Sequence, residues 1–531
     1  MWTQGWRDTI WSQLDREFDL IIIGGGITGA GILREAARAG LSAVLFEQHD
    51  FASGTSSRSS KLVHGGLRYL RNAQIKLTYE SVHERERLLK EGRGLVSPLP
   101  FLMANYAGDK IPAWVFGFGL SLYDLLALKW NHKHYSPDGL RELCPQLTSP
   151  EMVCGYRYFD AQTDDARLVL RVILEATKDG ALALNYARVE GLLKAGGRAC
   201  GVAVRDLAPG SARSGAAHKT TEVRARAVIN ATGAWVDGLR AQVEGPKRLR
   251  ILRGSHLFFP ANKLSLTRAV TFLHPQDGRP VFVVPWEGVT LVGTTDVDHA
   301  AAPATDLRIS EAEAGYLMDS VTYAFPGLVL SLADVQSTLA GVRAVVDSGK
   351  ANPSKESREF VLWNENGLLT VSGGKLTTFR LMAQQALRAI RPMLPEHARL
   401  GKEMRVLDPL PDEMKVCGQL EASMRLRLVG RYGSETCHLM DAAQDGELKP
   451  IGESLSLWAE LRWAARAEGV VHLDDLLARR LRLAITLPGG GLNEMAKIRA
   501  IVQPELGWDD TRWEEEEKRY RALWQAYYSP P

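Results

Sequence analysis

Cysteine is scarce. The 531 residues hold five (Cys144, Cys154, Cys200, Cys417 and Cys437), and no two stand at C-x-x-C spacing. This removes the usual ligand patterns of an iron–sulfur cluster or a zinc ribbon, so no metal is expected. Scattered thiols fit a reducing, cytoplasmic compartment. An excess of one charge is also missing: 65 basic against 62 acidic side chains leave a net charge of +3, which excludes a globally basic nucleic-acid binder. No long apolar run is intact. The longest, 111–130, is interrupted by Pro112, Gly117, Gly119, Asp124 and Lys129, and falls short of the roughly 20 apolar residues of a spanning helix. Residues 1–18 lack an apolar core and carry Asp8, Asp15 and Glu17, so neither a secretory signal nor a transit peptide is expected there. These absences predict a soluble or peripheral protein.

What is present is an ordinary globular composition, in a length that implies two or three domains. Residues 19–47 read as strand, glycine turn, helix and second strand. Asp19–Ile23 is apolar after one acid, as a strand buried on both faces should be. Gly24, Gly26 and Gly29 form G-x-G-x-x-G between that strand and a helix, and Glu47 follows about 20 residues on at the end of the next strand. The spacing gives each residue a job. Gly24 permits a tight turn, Gly26 a close backbone approach to a pyrophosphate, and Gly29 close helix–strand packing. The helix start favours phosphate, and Glu47 accepts from an adenosine ribose.

The fingerprint alone does not separate FAD from NAD. The following run, Gly54-Thr55-Ser56-Ser57-Arg58-Ser59-Ser60-Lys61-Leu62, offers hydroxyls and amides suited to the further pyrophosphate and ribityl oxygens of an extended flavin. After it, Gly65 and Gly66 let the chain pass a flat ring, with His64, Arg68 and Tyr69 beside it. A strand ends in a glycine turn at Gly233. Gly373-Gly374-Lys375-Leu376-Thr377-Thr378 precedes a helical run over 379–391, whose first amides favour negative charge on a reduced ring.

Farther along, 72–90 is helical, 206–221 reads as a hairpin tip, and 223–233 as a strand. Short β-like runs (Ser255–Phe259, Val281–Val284, Thr290–Val292) suggest an antiparallel sheet carrying a substrate site. Prolines at 392, 395, 409 and 411 mark 392–416 as a linker, and only amphipathic helices follow, around 418–431, 454–468, 473–485, 492–503 and 510–527.

At these residues the chain resembles the FAD-dependent, quinone-linked respiratory glycerol-3-phosphate dehydrogenase family. The resemblance is carried by 19–47, Ala52–Leu70, "RGSH" (Arg253–His256), "VPWEGVTLVGTTD" (Val284–Asp296), "GVRAVV" (Gly341–Val346), "VSGGKLTTFR" (Val371–Arg380), and by 460–483 and 505–510 in the helical part. It implies an α/β fold: a Rossmann-like FAD domain of the glycine oxidase and D-amino-acid oxidase type, an inserted β-rich substrate domain and an all-α C-terminal domain. The expected boundaries are 1–75, 155–235 and 335–391 for the FAD domain, 76–154 and 236–334 for the substrate domain, and 417–531 for the helices. The implied reaction takes sn-glycerol 3-phosphate to dihydroxyacetone phosphate, with hydride passing from carbon 2 to flavin N5 and electrons going on to ubiquinone or menaquinone. FAD would be held by Gly24, Gly26, Gly29, Glu47, Thr55, Ser56, Ser57, Ser60, Lys61, Leu62, Gly65, Gly233, Gly374, Lys375, Leu376 and Thr377.

The resemblance puts phosphate-binding arginines at Arg343 and Arg358, and Arg68, Tyr69 and Lys375 near substrate and flavin; the arginine fork suits phosphate. His256 and His64 are the candidate proton acceptors. His256 is preferred because it lies on a strand of the expected substrate sheet. The family usually has proline after the arginine of "GVR", which would stiffen that turn; Ala344 stands here, and its presence is read as loosening the phosphate site. A lipid-soluble acceptor implies peripheral contact with the inner face of the cell membrane. Two segments suit it: Trp2, Trp6, Ile10 and Leu14 with Trp11, and the aromatic stretch 111–130 with the bases after it. An oxidase using oxygen and a non-catalytic flavin redox sensor are the alternatives, and a homodimer is left open.

Overall fold

The computed structural model describes residues 2–70, 74–209, 219–302, 307–349, 356, 359–401 and 404–531, excluding the side chains of Arg68 and Tyr69. Arg358 lies outside the described residues, as do the side chains of Arg68 and Tyr69 and most of the 206–221 tip.

Two sheets organise the chain. In the first, the order from one edge to the other is Phe360–Glu365, Leu368–Gly373, Thr220–Asn230, Phe18–Ile23, Ala43–Phe46 and Leu182–Leu184. Along this order all neighbours are parallel except the hairpin at 360–373. The run Leu20–Ile23 is buried because helices cover the sheet. Helix Ile27–Arg38 packs between helices Asp165–Lys178 and Phe379–Ala389. The expected strand at 223–233 is Thr220–Asn230, and its first half also pairs antiparallel with Arg198–Asp206, so the 206–221 segment does join a hairpin.

The second sheet has ten strands, from Leu62–Val63 through Met152–Thr163 and Val96–Tyr106 to Leu249–Pro260, which pairs with Ser337–Val346. Three of these strands fall wholly or largely inside ranges expected for the FAD domain. Leu62–Val63, Met152–Thr163 and Ser337–Val346 hydrogen-bond in the second sheet, so the boundary at 155 cuts through a strand, and the range opening at 335 takes in a strand that belongs with the inserted sheet. Ala344 sits opposite Ile251 in an unbroken ladder. It therefore occupies a strand and not the turn expected of it.

Past residue 412 the fold is helical, ending with Met495–Leu506 and Asp510–Tyr527. The segment 392–416 is no free linker: Val406 and Leu407 are buried in the core of the first sheet, and Arg34 donates to the Val406 carbonyl and pairs with Asp408. The segment at the start of the chain is corrected as well. Its helix is short (Trp6–Trp11), and Trp2, Ile10, Trp11 and Leu14 are all buried. Trp2 stacks on Phe51 at 5.0 Å and bridges to Glu468. This aromatic face is core and not a membrane surface.

Candidate active site

The glycine fingerprint folds as its spacing demands. Gly24 has φ +110, and a Cβ there would lie 2.6 Å from the Ala231 carbonyl oxygen. At Gly29 a Cβ would lie 1.9 Å from the Gly24 oxygen, so any larger residue would push helix Ile27–Arg38 off its strand. Ser56 Oγ accepts from the Ile27 amide at 2.9 Å, which ties the serine-rich loop to the helix start. Glu47 accepts from the Gly25 and His49 amides at 2.7 and 2.9 Å. Burial raises its pKa.

Two cavities open at this junction. One, of about 310 Å³, is lined by Gly24, Gly26, Glu47, Thr55, Ser56 and Gly233 among others. The second, of about 470 Å³, is lined by Ser60, His64 and His256 at its polar side and by Leu62, Phe101, Met103, Tyr158 and Phe282 elsewhere. They share Thr55, Ser59, Arg343, Ala344, Gly373, Gly374, Lys375 and Leu376. The result is one long slot. Its narrow end has a helix start and a carboxylate, and its wide end is apolar with a polar rim. That shape and donor set fit an extended dinucleotide whose flat ring ends in the larger cavity.

Most predicted residues meet here. Ser60 Oγ lies 2.9 Å from His256 Nε2. Thr377 donates to the His64 carbonyl at 3.2 Å. Lys375 Nζ donates to Ser81 Oγ. Arg343 reaches the Thr295 carbonyl at 3.4 Å and Asp296 at 3.9 Å while remaining part-exposed at the junction of the cavities. His256 is buried, and burial together with the nearby Lys61 and Arg343 charges pushes its pKa down to about 3. It is a neutral imidazole over the whole working range of pH.

Apart from Gly29, packed against the Gly24 carbonyl, three predicted residues stand off the cavities. Lys61 is fully buried, with Nζ 2.9 Å from Asp165 and 2.7 Å from the Ser57 carbonyl. Burial and Arg482 lower its pKa to about 7. Ser57 lies beneath the loop and serves through that carbonyl. Gly65 has no room for a side chain because the Tyr123 hydroxyl would be 2.2 Å from its Cβ, and its amide donates to Asp160. These three hold the loop from below. Residues not anticipated include Arg58, Ser59 and Asp160 in the larger cavity's wall. Asp160 Oδ1 also accepts from Arg85 and Tyr123, both at 2.7 Å. Only the position of Arg58 and Ser59 within the serine run hinted at them.

The expected membrane stretch is helix Ala113–Ala127. Its inner residues Leu120 and Tyr123 are buried, and Val115, Phe116 and Leu122 wall the larger cavity. Outward, Trp114 is 71% and, just beyond the helix, Trp130 70% exposed, while Phe118, 70% exposed, also lines the larger cavity. Among the described residues no helix is long and apolar enough to cross a membrane.

Known proteins agree with this geometry. The family model "FAD dependent oxidoreductase" matches residues 19–380, and "C-terminal domain of alpha-glycerophosphate oxidase" matches 370–513. The chain is 34% identical to the aerobic glycerol-3-phosphate dehydrogenase of Staphylococcus haemolyticus, covering 89% of this chain and 88% of that one. It is 34% identical to glycerol-3-phosphate dehydrogenase 2 of Mycobacterium tuberculosis, over 98% and 92%. Among solved structures, the glycerol-3-phosphate dehydrogenase from Bacillus halodurans complexed with FAD superposes with a TM-score of 0.80 at 26% identity, covering 99% of this chain and 98% of that chain. Glycine oxidase from Bacillus cereus shares the fold, with a TM-score of 0.52 at 17% identity over 74% of this chain and 100% of its own. With FAD as its cofactor and a helical domain after its two sheets, the chain belongs to the FAD-dependent glycerol-3-phosphate dehydrogenase family.

Proposed function

We propose that this protein oxidises sn-glycerol 3-phosphate to dihydroxyacetone phosphate and delivers the electrons to a quinone at a membrane surface. The names of its relatives support the substrate. The observation that carries the reading is the convergence of Arg343, Lys375 and the His256–Ser60 pair on the wall of the larger cavity. Bound FAD supplies the hydride acceptor. Arg343, part-exposed between the cavities, is suited to pair with the phosphate through its fork. His256 is a weak base, so it takes the hydroxyl proton only as hydride leaves carbon 2 and that hydroxyl becomes acidic; Ser60 orients its ring. His64 stands across the same cavity as the second candidate.

The acceptor reading rests on helix Ala113–Ala127. One side walls the larger cavity, and the other exposes aromatics to the surroundings. An apolar quinone leaving a bilayer would meet the cavity without crossing water. Lys133 just beyond adds attraction to an anionic headgroup layer on the inner face of the cell membrane.

The test is anaerobic bleaching of the flavin with a panel of phosphorylated polyols and amino acids. Glycerol 3-phosphate should bleach it fastest; an amino acid doing so overturns the substrate. Reoxidation by a soluble quinone should outrun oxygen, and the reverse makes the enzyme an oxidase. Arg343→Ala should raise the Michaelis constant about 10- to 100-fold, the worth of a charge-assisted bond, with FAD retained. Because His256 stays neutral down to about pH 3, its protonation should put no acid limb near pH 6.5 on the bleaching rate. The lowered pKa also means that the unfolded chain binds a proton there which the folded one does not. Stability tied to this group is therefore complete above about pH 6.5 and is lost as pH falls toward 3.

A further inference from the structure

The helical domain reaches the floor of the slot at two points. Arg58, in the loop 53–60, is buried in the wall of the larger cavity. One arm of its guanidinium donates to the Ala340 carbonyl and the other to the Tyr528 hydroxyl, both at 3.1 Å, with the Tyr528 ring 5.4 Å away. Its aliphatic stem fills the space where Gly341 has no side chain, 2.6 Å from an ideal Cβ there. Tyr528, just past helix Asp510–Tyr527, also accepts from the Thr338 amide at 2.7 Å. One residue of the helical domain thus grips both the loop and strand Ser337–Val346, which carries Arg343. The second point is Arg482, buried with a left-handed φ of 67. It donates at 2.7 Å to the Ser57 carbonyl, the same oxygen that Lys61 binds.

Loop and strand are the two sides of the stretch shared by the cavities: Thr55 and Ser59 on one, Arg343 and Ala344 on the other. Thr55 already spans them with a 2.6 Å bond to the Val342 carbonyl. Whatever sets their separation sets the width of the flavin seat. We propose that Tyr528 and Arg482 are positioning residues through which the helical domain holds the flavin seat at its binding width, with Arg58 as the connecting strut. This rests on FAD binding and is independent of the substrate. The domain would then hold the seat ready before FAD arrives, so loosening it lowers the fraction of protein competent to bind.

Tyr528→Phe removes the hydroxyl that accepts from one arm of the buried Arg58 guanidinium. FAD affinity, measured by titrating the full-length apoprotein, should fall about tenfold. The visible absorbance band of the bound flavin should change shape, which a general loss of stability would not cause. Arg58→Lys should match it, because an ammonium cannot bridge Ala340 and Tyr528 together. The double variant should lose less than the two single losses summed, since Arg58→Lys already breaks the bond that Tyr528→Phe removes. Affinity within about twofold of wild type with an unchanged band, or additive losses, would overturn the proposal. If the variants do not fold, hydrogen exchange on the wild-type holoenzyme decides. The Thr338 amide and residues 53–60 should open together with 524–529; independent opening would equally overturn it.

Discussion

The tryptophans near the start of the chain and those around helix Ala113–Ala127 look alike in sequence and are opposite in space. Both segments show an aromatic stripe at helical spacing. Trp2 and Trp11 are buried against the FAD domain and the helical domain, while Trp114 and Trp130 stand out from the molecule. The cause is what lies opposite. Trp2 meets Phe51 and a backbone bridge to Glu468. Among the described residues the outer face of the 113–127 helix is exposed at Trp114, Phe118 and Leu125, while its inner face packs through Leu120 and Tyr123. Periodicity tells that a face exists; only the partner tells whether it is core.

That contrast is breakable. The largest effect expected is Trp11→Ala, which should cost about 3–5 kcal/mol in urea unfolding, as large core truncations do. Trp114→Ala should stay within about 0.5 kcal/mol. Equal costs would erase the distinction. Next, replacing Trp114 and Trp130 together by Ser should lower partition into anionic vesicles about 100-fold, at roughly 1.5 kcal/mol or more per side chain. Flavin bleaching by substrate should survive, because that half-reaction needs no lipid. A double variant that still sediments with vesicles, or that loses bleaching, would return the helix to the core. The smallest effect sharpens the picture. Lys133→Ala should weaken vesicle binding by about 1 kcal/mol, and high salt should abolish the difference. Lys129→Ala should do less, because Lys129 is already paired with Glu86.

The same logic governs what the sequence reveals of the site. Gly24, Gly26, Gly29 and Glu47 are legible because their partners are local: a strand, a turn and the next strand within 30 residues. His256 and Arg343 are legible through the family resemblance. Lys61, Ser57 and Gly65 sit in the most recognisable run and still do not line the slot. Their partners, Asp165, Arg482, Tyr123 and Asp160, come from distant parts of the chain, and no local pattern announces a buried ion pair or a hydroxyl packed on a glycine. Ala344 misleads for a related reason. A proline at that position in relatives suggests a turn, whereas this chain runs through it as a strand. The domain boundaries fail at Met152–Thr163 and Ser337–Val346 because strand patterns do not say which sheet a strand joins.

The order of strands in the first sheet has a consequence for birth at the ribosome. Thr220–Asn230 needs Leu368–Gly373 as its neighbour, yet the strands of the second sheet from Leu249–Pro260 to Ser337–Val346 are made in between. At ~5–20 residues per second the wait is roughly 10–30 s. During that time the open edge of Thr220–Asn230 is a template for wrong pairing. Ribosome-bound chains stalled before residue 368 should be cut readily by protease within 18–46, and chains released past 391 should resist; early resistance would mean that the first sheet closes without its late strand. The nascent protein therefore carries a timed vulnerability to aggregation that the finished fold no longer displays.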